Sequence, residues 1–484
     1  MTSNRWAVPA YWLVVVMLFA AQAAYTIGGL ERLGYEELAE GIRNPFWLDH
    51  RLVYDGVSSN VGWYGLLLLV YKVAGFSAYT AKYVRLGLHA LFLACSAVLL
   101  KRWLGLPRAF LPVVAVGLSP TVLYFNNLET SHGTDIQLSA VVLFLIASAA
   151  ERPRPGRVRR ALLAAAAGAL AMLACLMFPS FLVYVPLLLI AHLWIARRSD
   201  AQARVANDMT WMTAGFGAPF AVAVLFVRNR AALLFDVASG GAGVFRGGGG
   251  ALSSDPVDIT RAVGAVVHDL FMRGNSYYFN LPHTEFSGLP GVVAAWGILA
   301  AALVVAWNWK ASRVPLALAG ALCLLSIMVP ALSRHLPGLR RSTGFIAGVY
   351  VILACVWAAP VPAGLRALAV WAGKIACLLL LAHHIVVFMP NARFLQSSAL
   401  QVDDPWFHRF GSPSESIATW ARDFVLQEKP LTCQSRQETC RFAEIYAAVS
   451  GYLRWNGLGE RPVLIVDPNS AVVIPLDIER SRRP

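Results

Sequence analysis

NVGWYGLLLLVYKVAGF, Asn60 to Phe76, decides the topology of this chain. It is apolar enough to cross a membrane, yet it carries Lys72, and only six residues separate it from the next apolar run. If it crosses, the chain has a twelfth span and its N-terminus lies outside. If it lies along the outer interface, the N-terminus lies inside. Working outward, runs of spanning length recur at 8–30, 83–100, 109–125, 134–150, 160–177, 179–196, 209–227, 291–308, 314–332, 344–361 and 367–389. The first of these is too long for the core of a cleavable leader and is expected to stay as a span. With 57% hydrophobic and 14% charged residues over 484 positions, a soluble core cannot account for so many runs.

Charge bias favours the interfacial reading. Lys101, Arg102 and Arg108 share one short loop, Arg152, Arg154, Arg157, Arg159 and Arg160 another, and Arg197, Arg198 and Arg204 a third. Lys310, Arg313 and Arg366 mark two more, whereas the turns at 126–133 and 178–179 carry no Lys or Arg. The positive-inside rule puts the basic set in the cytoplasm. With Arg5 on that side too, parity holds only if 60–76 does not cross. The expected fold is an all-α polytopic membrane protein of about eleven transmembrane helices, with extracytoplasmic juxtamembrane helices and an extracytoplasmic C-terminus. The net charge of +14 follows from loops that face anionic lipid, and nucleic acid is not an expected partner.

Residues 1–390 form the expected membrane domain and 391–484 a small extracytoplasmic α/β domain, with helical periodicity at 414–428 and 441–455. There PVLIV (462–466) and AVVIPL (471–476) read as a hairpin. Cys95, Cys175, Cys323, Cys355 and Cys377 fall within spans, where cysteine is a small apolar residue. Cys433 and Cys440 lie close together in the polar tail and read most simply as a disulfide. The loop 228–290 is long for a membrane connector, which suggests a lid or a substrate-binding role. Its SGGAGVFRGGGG tract (239–250) lacks the Lys-Ser/Thr of a phosphate loop and reads as a hinge. Beyond it, 256–272 has amphipathic periodicity, and NSYYFNLPHTEF (275–286) offers Tyr277, Tyr278, His283 and Glu285 near the membrane face.

The acids are unevenly spent. Glu31, Glu36, Glu37, Glu40, Asp49 and Asp55 crowd the loop between the first two apolar runs, within 31–82. Acids clustered at a membrane face serve a base, a metal or a cationic ligand. In order, GYEELAEGIR (34–43), NVGWYGLLLLVYKVAGFS (60–77), AKYVRLGLHALFL (81–93), LKRWLGLPR (100–108), VGLSPTVLYFNN (116–127) and GTDIQLSAVVLFL (133–145) follow one another. This succession resembles the C-type membrane glycosyltransferase superfamily, in its protein mannosyltransferase and aminoarabinose transferase branch. LSRHLPGLRRSTGFIAGVY (332–350) resembles the Arg- and Pro-bearing segment before a late span in those enzymes. The sequence departs from the branch in carrying Glu36-Glu37 where Asp usually comes first, and Asn60 to Tyr64 where many members have a His-Pro-Pro-Leu-like stretch.

The resemblance implies an integral-membrane enzyme of bacterial plasma-membrane type. It would move a sugar from a polyprenyl phosphate to a protein, lipid or glycan acceptor at the extracytoplasmic face, usually with inversion. A carboxylate then takes the acceptor's proton, and cationic side chains receive the leaving phosphate. Glu36 matches the base, with Glu37 beside it to position acceptor or metal, and Asp135 matches a further active-site acid, although Asp at a helix start is also an ordinary cap. Arg85 is the best-placed phosphate ligand, followed by Lys72, Arg340 and Arg341; snorkelling would explain Arg85 equally well. Trp63 and Tyr64 are candidate sugar platforms or belt aromatics, and His283 is a candidate substrate contact. No cofactor is fixed by these residues; a divalent Mg or Mn ion on Glu36, Asp49 and Asp55 is an option the acids offer. The rival expectations are a non-catalytic scaffold or assembly subunit of the same fold, and a transporter of lipid-linked glycans.

Overall fold

Apolar runs of this length can satisfy their backbone in lipid only as helices. The computed structural model describes residues 6–28, 61–74, 80–126, 131, 133–150, 156–198, 205–226, 256–271, 275–276, 279–280, 283–332, 343–396, 431–432, 463–467 and 472–476. The helices there are α1 (Ala7–Gly28), α2 (Val61–Ala74), α3 (Thr80–Leu104), α4 (Leu106–Gly117), α5 (Pro120–Asn126), α6 (Thr134–Ala149) and α7 (Arg157–Met177). They continue as α8 (Tyr184–Arg198), α9 (Val205–Phe226), α10 (Pro256–Phe271), α11 (Gly288–Asn308), α12 (Arg313–Leu332), α13 (Thr343–Ala358) and α14 (Arg366–Gln396). Every expected span coincides with one of these helices or, at 109–125, with a pair. By length and apolarity six described helices can cross a membrane, or seven if the bent pair α4–α5 is one span, and three more are apolar but shorter.

The expected uninterrupted span 109–125 is corrected. α4 and α5 meet at 52° across Leu118-Ser119. Pro120 opens α5, and the residue before a proline is pushed out of helical conformation, so the chain turns at the Ser-Pro step. The expected span 179–196 likewise starts with a 3-10 turn, Pro179–Val183, before α8.

α2 is short for a span. Its first turn lies against the C-terminal end of α7: a β-carbon on Gly62 would meet Leu176 and Met177 within about 3 Å. Its fourteen residues rise only about 21 Å against the ~30 Å of a bilayer core. Thr80 opens the next helix, α3.

Two apolar clusters hold the bundle. One joins α1, α3, α4, α11, α13 and α14 through Tyr11, Leu93, Val113, Ile298, Leu353 and Leu380, all buried. The other joins α2, α6, α7 and α8 through Trp63, Leu67, Val142, Met177 and Leu188. The bundle has two chemically distinct ends. At the basic end Arg102 donates to Ser148 (3.1 Å), Arg160 pairs with Asp208 (2.5 Å), and Arg366 donates to Asn308 (3.1 Å). The opposite end gathers the buried acids described below. Outside the helices, β1 (Asn275–Ser276) and β2 (Phe279–Asn280) pair antiparallel. In the tail β3 (Leu431–Thr432) runs parallel to β4 (Val463–Asp467), which pairs antiparallel with β5 (Val472–Leu476), Ile465 opposite Ile474. The two apolar tail runs are thus paired strands, and the expected tail helices at 414–428 and 441–455 lie outside the described residues.

Candidate functional site

Three helices begin at one carboxylate. Gly133 has φ 78° and packs so closely on the Phe125 ring that a β-carbon would lie 2.5 Å from it. That turn, with Thr134 Oγ1 donating to the Ser131 carbonyl (2.6 Å), sets Asp135 in the first turn of α6. Asp135 is 1% exposed. Tyr184, the first residue of α8, donates its hydroxyl to Oδ2 at 2.9 Å. Thr343, the first residue of α13, donates to the same oxygen. Gly344 permits the approach, since a β-carbon there would meet the Tyr184 hydroxyl at 2.5 Å and Ser326 Oγ at 2.2 Å. Oδ1 takes no hydrogen bond from any described side chain. The partial positive charge of helix N-termini complements a carboxylate at such a junction.

Arg85 is fully buried one helix away. Its Nε and Nη2 donate to the Phe125 carbonyl at 3.1 and 2.8 Å, near the C-terminus of α5, and Nη1 donates to Gln137 at 3.4 Å. A guanidinium at a helix C-terminus satisfies carbonyls that lack intrahelical partners. Trp63 lies under it, 5.6 Å from ring centroid to Cζ. Gln137 donates to Asn126 (2.8 Å), Asn126 to Gln22 (2.6 Å), and Gln22 to the Gly117 carbonyl (2.5 Å). This chain of side chains joins α1, α5, α6 and the α4 terminus at the acid-lined end. Arg85 is therefore an interior group held by protein partners and not a snorkelling one.

A second buried acid sits at the same end. Glu285, just before α11, accepts from Ser119 Oγ at 2.5 Å, from the Thr121 amide at 2.9 Å and from Thr121 Oγ1 at 2.5 Å. Its neighbours are pinned as well. Asn391 clamps the His283 backbone through both its amide groups (3.1 and 2.7 Å), and the His383 ring meets the Thr284 carbonyl at 3.1 Å. Burial, and then the nearby His383, hold the His283 imidazole below its ordinary range.

Of the residues expected from sequence, the structure brings Asp135, Arg85 and Trp63 to one end, and His283 to the same end on the α11–α14 side. Tyr64 and Lys72 lie on α2, their side chains outside what is described. Glu36, Glu37, Asp49, Asp55, Arg340, Arg341, Cys433 and Cys440 lie outside the described residues. Among the described residues no three His, Cys, Asp or Glu side chains group as a metal site. Sequence reasoning did not single out Tyr184, Thr343 or the anchoring role of Glu285. For Glu285 there was a signal: an acid directly before a 21-residue apolar helix, in a chain with only 27 acids.

No protein-family model matches the sequence, and no curated protein matches it. The fold has solved counterparts. ArnT from Cupriavidus metallidurans, bound to undecaprenyl phosphate, aligns over 96% of this chain and 87% of its own, with 15% identity and a TM-score of 0.51. The archaeal oligosaccharyltransferase AglB from Archaeoglobus fulgidus, in complex with an inhibitory peptide and a dolichol-phosphate, aligns over 92% of this chain with 13% identity and a TM-score of 0.50. The chain spans 64% of that AglB chain. Together with the helix order and the acid-lined end, these likenesses give the chain the fold of the C-type membrane glycosyltransferases.

Proposed function

We propose that this protein is an integral-membrane glycosyltransferase that moves a sugar from a polyprenyl-phosphate donor to an acceptor at the acid-lined end. The observation that carries this reading is the meeting at one end of Asp135, Arg85 and the helix termini that lead to the other candidates. α1 ends at Gly28, eight residues before Glu36, and the chain re-enters at Val61 beside α7. Thr343, bonded to Asp135, follows Arg341 by two residues. The likeness in fold to ArnT and AglB, both solved with polyprenyl phosphates, supports the donor class. The buried charges at this end sit within the first two turns of helices or just outside them, which suits a headgroup at the interface better than the midplane site of a transporter.

In this mechanism Glu36 takes the proton of the acceptor hydroxyl as its oxygen attacks the anomeric carbon. The bond to the lipid phosphate breaks on the opposite face, so configuration inverts. Arg340 and Arg341, with Lys72, receive the phosphate's developing charge. Arg85 fixes the end of α5 and so the α6 turn that carries Asp135. Glu37 orients the acceptor, or joins Asp49 and Asp55 around a divalent ion; chelation with EDTA distinguishes the two.

The test is release of lipid phosphate by purified full-length protein in nanodiscs, with undecaprenyl-phosphate-linked hexose and pentose donors and peptide, lipid or glycan acceptors. Loss of a general base removes on the order of 10²- to 10⁴-fold in rate, and that is the expected effect of Glu36→Gln. Asp135→Asn is expected to lose activity while remaining folded. Full turnover in both variants would discard the site. No turnover by the folded wild-type protein on any donor would move the assignment to a non-catalytic scaffold.

A further inference from the structure

The side-chain donors to Asp135 reach one of its oxygens only. Buried carboxylate oxygens ordinarily find donors, and an ionised carboxylate offers about four lone-pair positions. Here the two side-chain donors, Tyr184 Oη and Thr343 Oγ1, converge on Oδ2 from two different helices, while Oδ1 takes none from the described side chains of a residue that is almost wholly buried. Ser131 Oγ, four residues earlier in the chain, is also buried without a partner among the described residues. Oδ1 is the oxygen left without a side-chain donor. The hydroxyls of Tyr184 and Thr343 fix which oxygen that is: the carboxyl plane cannot turn about its Cβ–Cγ bond without breaking both bonds.

We propose that Tyr184 and Thr343 are positioning residues for Asp135, occupying Oδ2 so that Oδ1 faces a hydroxyl of the sugar donor or of its acceptor. This rests on the transferase reading above. Neither residue touches the reacting atoms; both act through the carboxylate.

The experiment measures kcat and KM for undecaprenyl-phosphate-linked hexose and pentose donors in full-length wild type, Tyr184→Phe, Thr343→Val and Thr343→Ser, each also in an Asp135→Asn background. Hydrogen bonds to a charged group carry roughly tenfold or more in rate when lost. The expected result is a fall of about tenfold in kcat for Tyr184→Phe and Thr343→Val, with KM moved far less, and recovery in Thr343→Ser. In the Asp135→Asn background neither substitution should lower the rate further. Equal losses in both backgrounds would mean a packing role only and would overturn the proposal, as would wild-type rates in the single variants. If wild type itself turns over no donor, the transferase reading falls and the substrate-facing role falls with it. Infrared spectra then decide the remaining claim: the carboxylate band lost in Asp135→Asn must shift in Tyr184→Phe and Thr343→Val and return in Thr343→Ser. An unmoved band overturns the positioning role even if the enzyme is active.

Discussion

Glu285 shows what one residue does in this bundle. Its carboxylate receives three donors from the Ser-Pro step, 164 and 166 residues earlier in the chain, and Ser119 Oγ in turn accepts from the Val122 amide at 3.2 Å. The acid thus ties the base of the long loop to the bend between α4 and α5. Glu285→Ala would strand the Thr121 amide and two hydroxyls in a site that excludes water, at a cost of about 2–3 kcal/mol. Glu285→Gln keeps an acceptor oxygen and the volume, and should cost less. Thermal unfolding in detergent checks this: a lowered midpoint, lower for Ala than for Gln, is expected, and equal midpoints would contradict it. The sequence announced Glu285 as an acid at a span edge but could not announce its partners, because hydrogen bonds across more than 160 residues leave no local pattern. Tyr184 and Thr343 were silent for the same reason; at a span edge they look like ordinary interfacial residues.

At the scale of elements, hydropathy made the helices legible, since an apolar run in lipid must satisfy its own backbone; six or seven of the described ones are long and apolar enough to cross a membrane. What it could not convey was shape within a run. The stretch 109–125 is uniformly apolar, so its period carries no trace of the 52° bend; Pro120 was visible, and only the local rule for the residue before proline would have found it. Close helix contact was equally hidden. α7 and α9 touch at Gly168 and Gly215, where added β-carbons would lie 1.9 Å from the Met212 carbonyl oxygen and 2.0 Å from that of Ala165. Small residues let membrane helices approach and pack by dispersion. Gly168→Ala must therefore push the two backbones apart, and overpacking of this kind costs about 1–3 kcal/mol. Gly217, also on α9, has open space around its β-carbon position, so Gly217→Ala should be neutral or mildly stabilising. A comparison of the two variants by unfolding in detergent would refute the packing account if Gly168→Ala were as stable as Gly217→Ala.

The molecule as a whole is a bundle with two unlike ends, and the proposed activity depends on which end faces out. One end carries Lys101, Arg102, Arg160, Arg313 and Arg366; the other holds Asp135, Glu285 and both attachment points of the acidic loop. Each basic group near an anionic leaflet contributes about 1 kcal/mol, so Lys101, Arg102, Arg313 and Arg366, which are not buried, favour the expected placement of this end at the cytoplasmic face. On the proposed function, a polyprenyl-phosphate sugar presented outside the cell is to be met by the acid-lined end. Leu289, in the first turn of α11, is 76% exposed at that end, and Arg157 opens α7, exposed, at the basic end. The five cysteines within the helices are buried and free, so single reporter cysteines can be read once Cys433 and Cys440 are replaced by serine. A membrane-impermeant maleimide on intact cells should label Leu289→Cys, and should label Arg157→Cys only after permeabilisation. The reverse pattern would turn the acid-lined end to the cytoplasm and overturn the extracytoplasmic donor. Labelling of both from outside would mean an odd number of crossings is missing between them, and with it the non-crossing assignment of α2 would lose its support from parity.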